Sequence, residues 1–153
     1  MVSPEVFRRS PFFIPMTEDQ LTRLAMISEE EVYAAGETIF REEEPADKLY
    51  LILSGAIELR MCVDVLGRSI PVEVLGAGEV VGWSTLVSPY EYTASGEART
   101  PTRVVAIDSV SLRRLAEEDY VLGYHLYRQV ASVIAQRLRD TRMRLASVLP
   151  APG

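Results

Sequence analysis

The chain has 153 residues, 48% of them apolar and 25% charged, with a formal net charge of −6, the size and balance of one globular domain with its own core. A single cysteine, Cys62, excludes an internal disulfide framework and a cysteine-rich zinc site. The N-terminal MVSPEVFRRSPFF lacks the apolar run of a signal peptide, and apolar segments such as LYLIL (49–53) are far too short to cross a bilayer, so a cytoplasmic location and no membrane partner are expected.

Charge is unevenly spread. Acids outnumber bases 12 to 6 over residues 1–60 and 6 to 3 over 61–110, and bases lead 7 to 4 over 111–153. The runs Glu29–Glu31 and Glu42–Glu44 would repel nucleic acid, and each reads first as a solvated face.

In chain order, Thr17 followed by Gln20 makes a capping-box pattern, and Leu21, Leu24, Ala25 and Ile27 share one face, which predicts a short leading helix over 17–28. From Val32 to Ile107 the period falls to two: Ile57, Leu59, Met61 and Val63 alternate with Glu58, Arg60 and Cys62, and Val72 and Val74 flank Glu73. Turn signals recur at Gly36, Pro45, Gly55, Gly67, Gly78, Pro89 and Pro101. Many short strands at such spacing predict a mainly β roll over 32–107, a sandwich, barrel or jelly roll.

After Asp108 and Ser109 the period is helical again, giving C-terminal helices over 109–148. Leu112 and Leu115 mark a short helix; Leu122, Leu126, Val130, Ile134, Leu138, Thr141 and Leu145 mark a long one that Pro150 stops. So long a stripe exceeds what one small roll covers, and these leucines, with Val130 and Ile134, are expected to form a homodimer helix.

Three blocks, AAGETIFREEEPADKLYLILSGAIEL (34–59), the hairpin VLGRS (65–69) and LGAGEVVGWSTL (75–86), resemble the cyclic nucleotide-binding domain family of catabolite-activator-type regulators, cyclic-nucleotide-dependent kinases and gated channels. The resemblance implies an eight-stranded jelly roll, or double-stranded β-helix, with a phosphate-binding cassette within 78–95 and a long C-terminal dimerisation helix. Gly36, Gly55, Gly78 and Gly82 stand at the family's turn glycines, while Glu43 replaces one.

The same resemblance places the ligand at Val81, Gly82, Trp83, Ser84, Thr85, Tyr92, Thr93 and Ala94. Family cassettes hold the ribose with a glutamate and the cyclic phosphate with an arginine; here Trp83 and Tyr92 occupy those positions. Losing a charged phosphate partner costs about 2–5 kcal/mol, so cyclic AMP and cyclic GMP are not expected to bind in the family's way. Two further readings stay open, a filled pocket that acts through an unidentified protein partner and an altered planar or apolar ligand stacked on the aromatics. Residual nucleotide binding is a third.

His125 is the single histidine, and with Cys62 it is the candidate for the axial ligand of a haem sensor, a minor alternative. One histidine cannot build a cupin-type metal site, and neither a Walker loop nor a nucleophile pattern is present. No cofactor, no enzymatic activity and no nucleic-acid partner are therefore expected; a single domain over 1–153 leaves no room for a helix-turn-helix module. Arg137, Arg139, Arg142 and Arg144 read as residues that complement the helix dipole.

Overall fold

The computed structural model describes residues 1–150. Two 3₁₀ turns, Pro4–Arg9 and Pro11–Phe13, come first, each opened by a proline. Phe7 and Phe12 pack edge-on against Phe13, at 4.9 and 5.0 Å between ring centres. Periodicity assigns no element here, because 3₁₀ segments of six and three residues are too short to repeat a pattern.

Helix α1 (Glu18–Met26) starts on the expected box: Gln20 N–H donates to Thr17 Oγ1 at 3.2 Å, and Thr17 N–H donates to Gln20 Oε1 at 2.9 Å. Eight strands follow: β1 (Ser28–Tyr33), β2 (Thr38–Phe40), β3 (Lys48–Ser54), β4 (Ala56–Cys62), β5 (Ser69–Gly76), β6 (Val80–Val81), β7 (Ser95–Ala98) and β8 (Thr102–Asp108). They form two antiparallel sheets, ordered β1-β8-β3-β6 and β2-β7-β4-β5, which is the expected jelly roll.

The roll begins at Ser28 rather than Val32, because the acidic triplet is itself strand. Glu30 pairs with Arg103 on β8 and Glu31 with Lys48 on β3, both at 2.5 Å. The triplet thus carries cross-strand pairs, which β-period hydrophobicity could not reveal.

Strands β3 and β8 are buried on both faces, which explains the unbroken run LYLIL. Leu49, Leu51, Val105 and Ile107 face the helices, joining Leu21, Leu24, Leu112 and the phenylalanines. Tyr50, Ile52, Val104 and Ala106 face between the sheets, with Phe40, Ile57, Leu59, Leu75, Val81 and Tyr92. The turn between β3 and β4 is one residue, Gly55 at φ +87°; a Cβ there would lie 2.4 Å from the carbonyl oxygen of Pro101. Only glycine fits.

Two period-two expectations fail at the far end of the second sheet. Met61 and Val63 are exposed, since the β4–β5 hairpin runs on past the core. A register shift opposite Leu59 and Arg60 pairs Leu59 with Glu73 and Arg60 with Pro71. As paired residues share a sheet face, Glu73 and Leu75 lie on the face of Leu59 and Ile57, not Val74.

Helix α2 (Ser109–Glu118) and helix α3 (Tyr120–Val148) are separated by Asp119 alone. Its carboxylate accepts the N–H groups of Val121 and Leu122 at 3.1 and 3.0 Å and is met by Gln20 Nε2 at 3.3 Å. Gly123 packs so closely that a Cβ would lie 2.6 Å from the Ala116 carbonyl.

The stripe expected to form the dimer helix divides in two. Leu122, Leu126 and Val130 are enclosed by their own chain, so they cannot face a second copy. Ile134 is half-buried and Leu138 is 48% exposed.

Candidate functional site

The segment from β6 to β7 is positioned by Gly82, at φ +97°, which turns the chain off β6 into a single 3₁₀ turn, Trp83–Leu86. A Cβ at Gly82 would lie 3.0 Å from the Lys48 carbonyl. The turn is closed on itself: Thr85 N–H and Thr85 Oγ1 both donate to the Gly82 carbonyl, at 3.1 and 2.9 Å. Ser84 and Thr85 are buried, whereas Thr93 is exposed and Ala94 half-buried. The expected hydroxyl set therefore does not converge on one open space.

Tyr92 is 6% exposed and belongs to the core between the sheets. Its ring stacks on Phe40 with centroids 4.4 Å apart, and Phe40 stacks on Tyr50 at 5.6 Å. Its hydroxyl donates to the Lys48 carbonyl at 2.7 Å and accepts the Lys48 N–H at 3.1 Å. Burial pushes the Tyr92 hydroxyl up to about 12. Its backbone is held equally well, with Glu43 N–H donating to the Tyr92 carbonyl at 2.8 Å and Tyr92 N–H to Glu44 at 3.0 Å. Glu43 takes φ +70°, so it keeps the glycine-like conformation without the glycine.

Trp83 does not join Tyr92 in one aromatic cage. It is half-buried against the helix-side core. The space bordered by Phe40, Val81, Trp83, Tyr92, Ala94 and Arg137 amounts to about 20 Å³, room for a single water. An altered ligand of several heavy atoms needs an open pocket at this place, and the rings occupy it.

Two arginines at the site, Arg137 and Arg113, were not singled out as site residues by the sequence. Arg137, from α3, reaches Glu73 at 3.4 Å and donates to the Val80 carbonyl at 3.4 Å. Burial lowers its affinity for its proton, while Glu73 and Glu79 oppose the loss. The signal was available: Leu122, Leu126, Val130, Val133 and Arg137 recur at steps of four and three along the core face. Arg113, from α2, lies 4.2 Å over the Tyr90 ring and donates to the Thr85 carbonyl at 2.7 Å, tying the cassette to the helices.

His125 is half-buried on α3, edge-on to Tyr124, and borders a polar recess with Pro15, Arg128, Gln129 and Ser132. Cys62 is exposed, with its sulfur on the Asp64 carbonyl. Among the described residues no cluster of three metal-ligating side chains occurs, and no helix is long and apolar enough to cross a membrane.

The family model of the cyclic nucleotide-binding domain matches residues 30–119. The chain belongs to that family. Other members show where it sits. It is 28% identical over 146 residues to the CRP-like cAMP-activated global transcriptional regulator of Mycobacterium tuberculosis, covering 95% of this chain and 62% of that one. It is 38% identical to a candidate cyclic nucleotide-binding protein of Geobacter metallireducens GS-15, whose crystal structure superposes with a TM-score of 0.81 over 90% of this chain and 99% of the other. The N-terminal domain of a transcriptional regulator from Streptomyces coelicolor A3(2) is 29% identical, with a TM-score of 0.68 and coverages of 97% and 99%.

The cyclic nucleotide-binding domain described here is thus similar to those of catabolite-activator-type regulators. The chain spans about 62% of the length of the curated regulator. The expectation of no nucleic-acid partner draws no support from these relatives, since two of the three are transcriptional regulators.

Proposed function

We propose that residues 1–153 act as one regulatory module whose cassette is closed to cyclic AMP and cyclic GMP and whose state is read by a protein partner. The observation that carries this reading is Tyr92. A neutral ring stands where family members place the phosphate arginine, sealed to Lys48 and stacked on Phe40, with about 20 Å³ left beside it. A cyclic nucleotide would have to expel that ring and would then meet no cation from the cassette. The Mycobacterium tuberculosis relative is described as cAMP-activated, so cyclic AMP is the first ligand to test. Calorimetric titration with cyclic AMP and cyclic GMP to millimolar concentration is expected to give no binding heat. Submicromolar binding of either overturns the reading.

The module works as a homodimer. Tyr120, Tyr124, Tyr127, Ala131, Ile134, Leu138, Thr141 and Leu145 alternate steps of four and three along α3, the spacing of a coiled-coil seam. Tyr120, Tyr124, Tyr127, Leu138 and Leu145 are exposed large side chains on this line. The seam lies on a different face from Leu122, Leu126 and Val130, and a second copy of the same line is the occupant that a heptad repeat specifies.

A further inference from the structure

A groove of about 350 Å³ runs between α3, the turn from β5 to β6 and the second 3₁₀ turn. Its size falls at the lower end of the range for small-molecule sites. It is separate from the closed cassette. On a helix turning about 100° per residue, its α3 residues Gln129, Ser132 and Gln136 project roughly opposite the seam of Tyr124, Ala131 and Leu138. A dimer built on that seam leaves the groove open.

The lining has two characters. Leu75, Val80 and Val133 give an apolar wall, the first two nearly fully buried. Glu73, Glu79 and Arg137 give a charged end. Two carboxylates against one guanidinium leave one negative charge uncompensated. Arg137 is committed to Glu73 at 3.4 Å, and Glu79 has no cation within 4.0 Å among the described residues. Loss of hydration and repulsion from Glu73 raise the Glu79 carboxyl above its ordinary value and outweigh the opposing pull of the Gly76 backbone and of Arg137.

We propose that this groove binds a small organic ammonium ion with an apolar body, the ammonium between Glu79 and Glu73 and the body against Leu75, Val80 and Val133. Anions are disfavoured by the two carboxylates, and a purely apolar molecule leaves the charge deficit unrelieved. Arg137 also borders the remnant space beside Trp83 and Tyr92. An ammonium that takes Glu73 as partner therefore alters the field at the cassette, giving the fold an input that does not depend on a nucleotide.

The test is a titration of the ¹⁵N-labelled full chain, followed by amide chemical shifts, with three probes of one shape: phenethylamine hydrochloride, 2-phenylethanol and sodium phenylacetate. Phenethylammonium is expected to shift the amides of Gly78–Val80 and Gln129–Arg137 saturably, binding about tenfold tighter than the alcohol, while phenylacetate leaves them unmoved. Glu79→Gln, at the exposed rim, is expected to remove that tenfold preference with the spectrum otherwise intact. Ser132→Trp, which fills the groove from an exposed helix position, is expected to abolish the shifts. The proposal is overturned by phenylacetate binding as tightly as phenethylammonium, by no saturable shift with any probe, or by an ammonium preference that survives Glu79→Gln. Each of these outcomes is independent of whether cyclic AMP binds.

Discussion

Tyr92 closes on Lys48 with both hydrogen-bonding functions of its hydroxyl, donating to the carbonyl at 2.7 Å and accepting the N–H at 3.1 Å. Tyr92, the residue that the family resemblance aligns with an arginine, is therefore part of the wiring of β3. Tyr92→Phe keeps the ring on Phe40 but strands two half-buried backbone groups of Lys48. It is expected to lower stability by about 1–3 kcal/mol in urea denaturation without opening the pocket.

The buried tyrosines set an alkaline limit. Burial raises the hydroxyls of Tyr50 and Tyr92, the latter to about 12, with the neighbouring tyrosine adding to the rise at Tyr50. In the unfolded chain they ionise near 10. Above about pH 10 the unfolded chain therefore binds fewer protons than the folded one, so stability falls as pH rises. The contribution is fully present below pH 10 and is lost towards pH 12, at up to ~1.4 kcal/mol per pH unit for each tyrosine. Denaturation midpoints from pH 8 to 11.5 are expected to fall from about pH 10, and Tyr92→Phe to flatten the decline.

Rebuilding the cassette tests what closed it. Trp83→Glu with Tyr92→Arg restores the two family side chains and removes the stacked ring. The double variant is expected to bind cyclic AMP roughly 10²- to 10⁵-fold tighter than the parent, read by calorimetry. A folded double variant with unchanged affinity would assign the closure to Phe40 and Tyr50 instead.

The two faces of α3 separate by mutation. Leu138→Glu places a charge on the seam at an exposed position and is expected to give monomers in sedimentation with the thermal midpoint of the monomer unchanged. Leu126→Ala removes a fully buried side chain and is expected to cost about 2–5 kcal/mol while the sedimentation of the folded fraction stays that of the parent.

The roll was legible because β4 alternates and turn signals recur along residues 32–107, and the capping box of Thr17 and Gln20 announces α1. The first half of the proposed seam was not. Leu122, Leu126 and Val130 step by four, a line that drifts around the helix and joins the heptad line at Ile134, with Leu138, Thr141 and Leu145 common to both. The tyrosines that open the proposed seam carry hydroxyls and weigh little in a hydrophobic count. Glu73 was hidden by the register shift opposite Leu59 and Arg60, which exchanges the faces of β5. At the cassette, the substitution at Tyr92 was visible in the sequence, but its bonds to Lys48, 44 positions away along the chain, follow only from the fold.

Asp119 stands at the base of a rod. The 29 residues of α3 extend about 44 Å at 1.5 Å per residue, and its beginning is gripped by Gly123 against Ala116 and by the cap itself. A pivot of roughly five degrees at that base would sweep the far end through about 4 Å, roughly seven-tenths of a helical pitch. The rod is also fastened further along, by Arg137 on Glu73 and the Val80 carbonyl and by Arg144 on the Val72 carbonyl, so any such pivot has to pull on β5 and the start of β6.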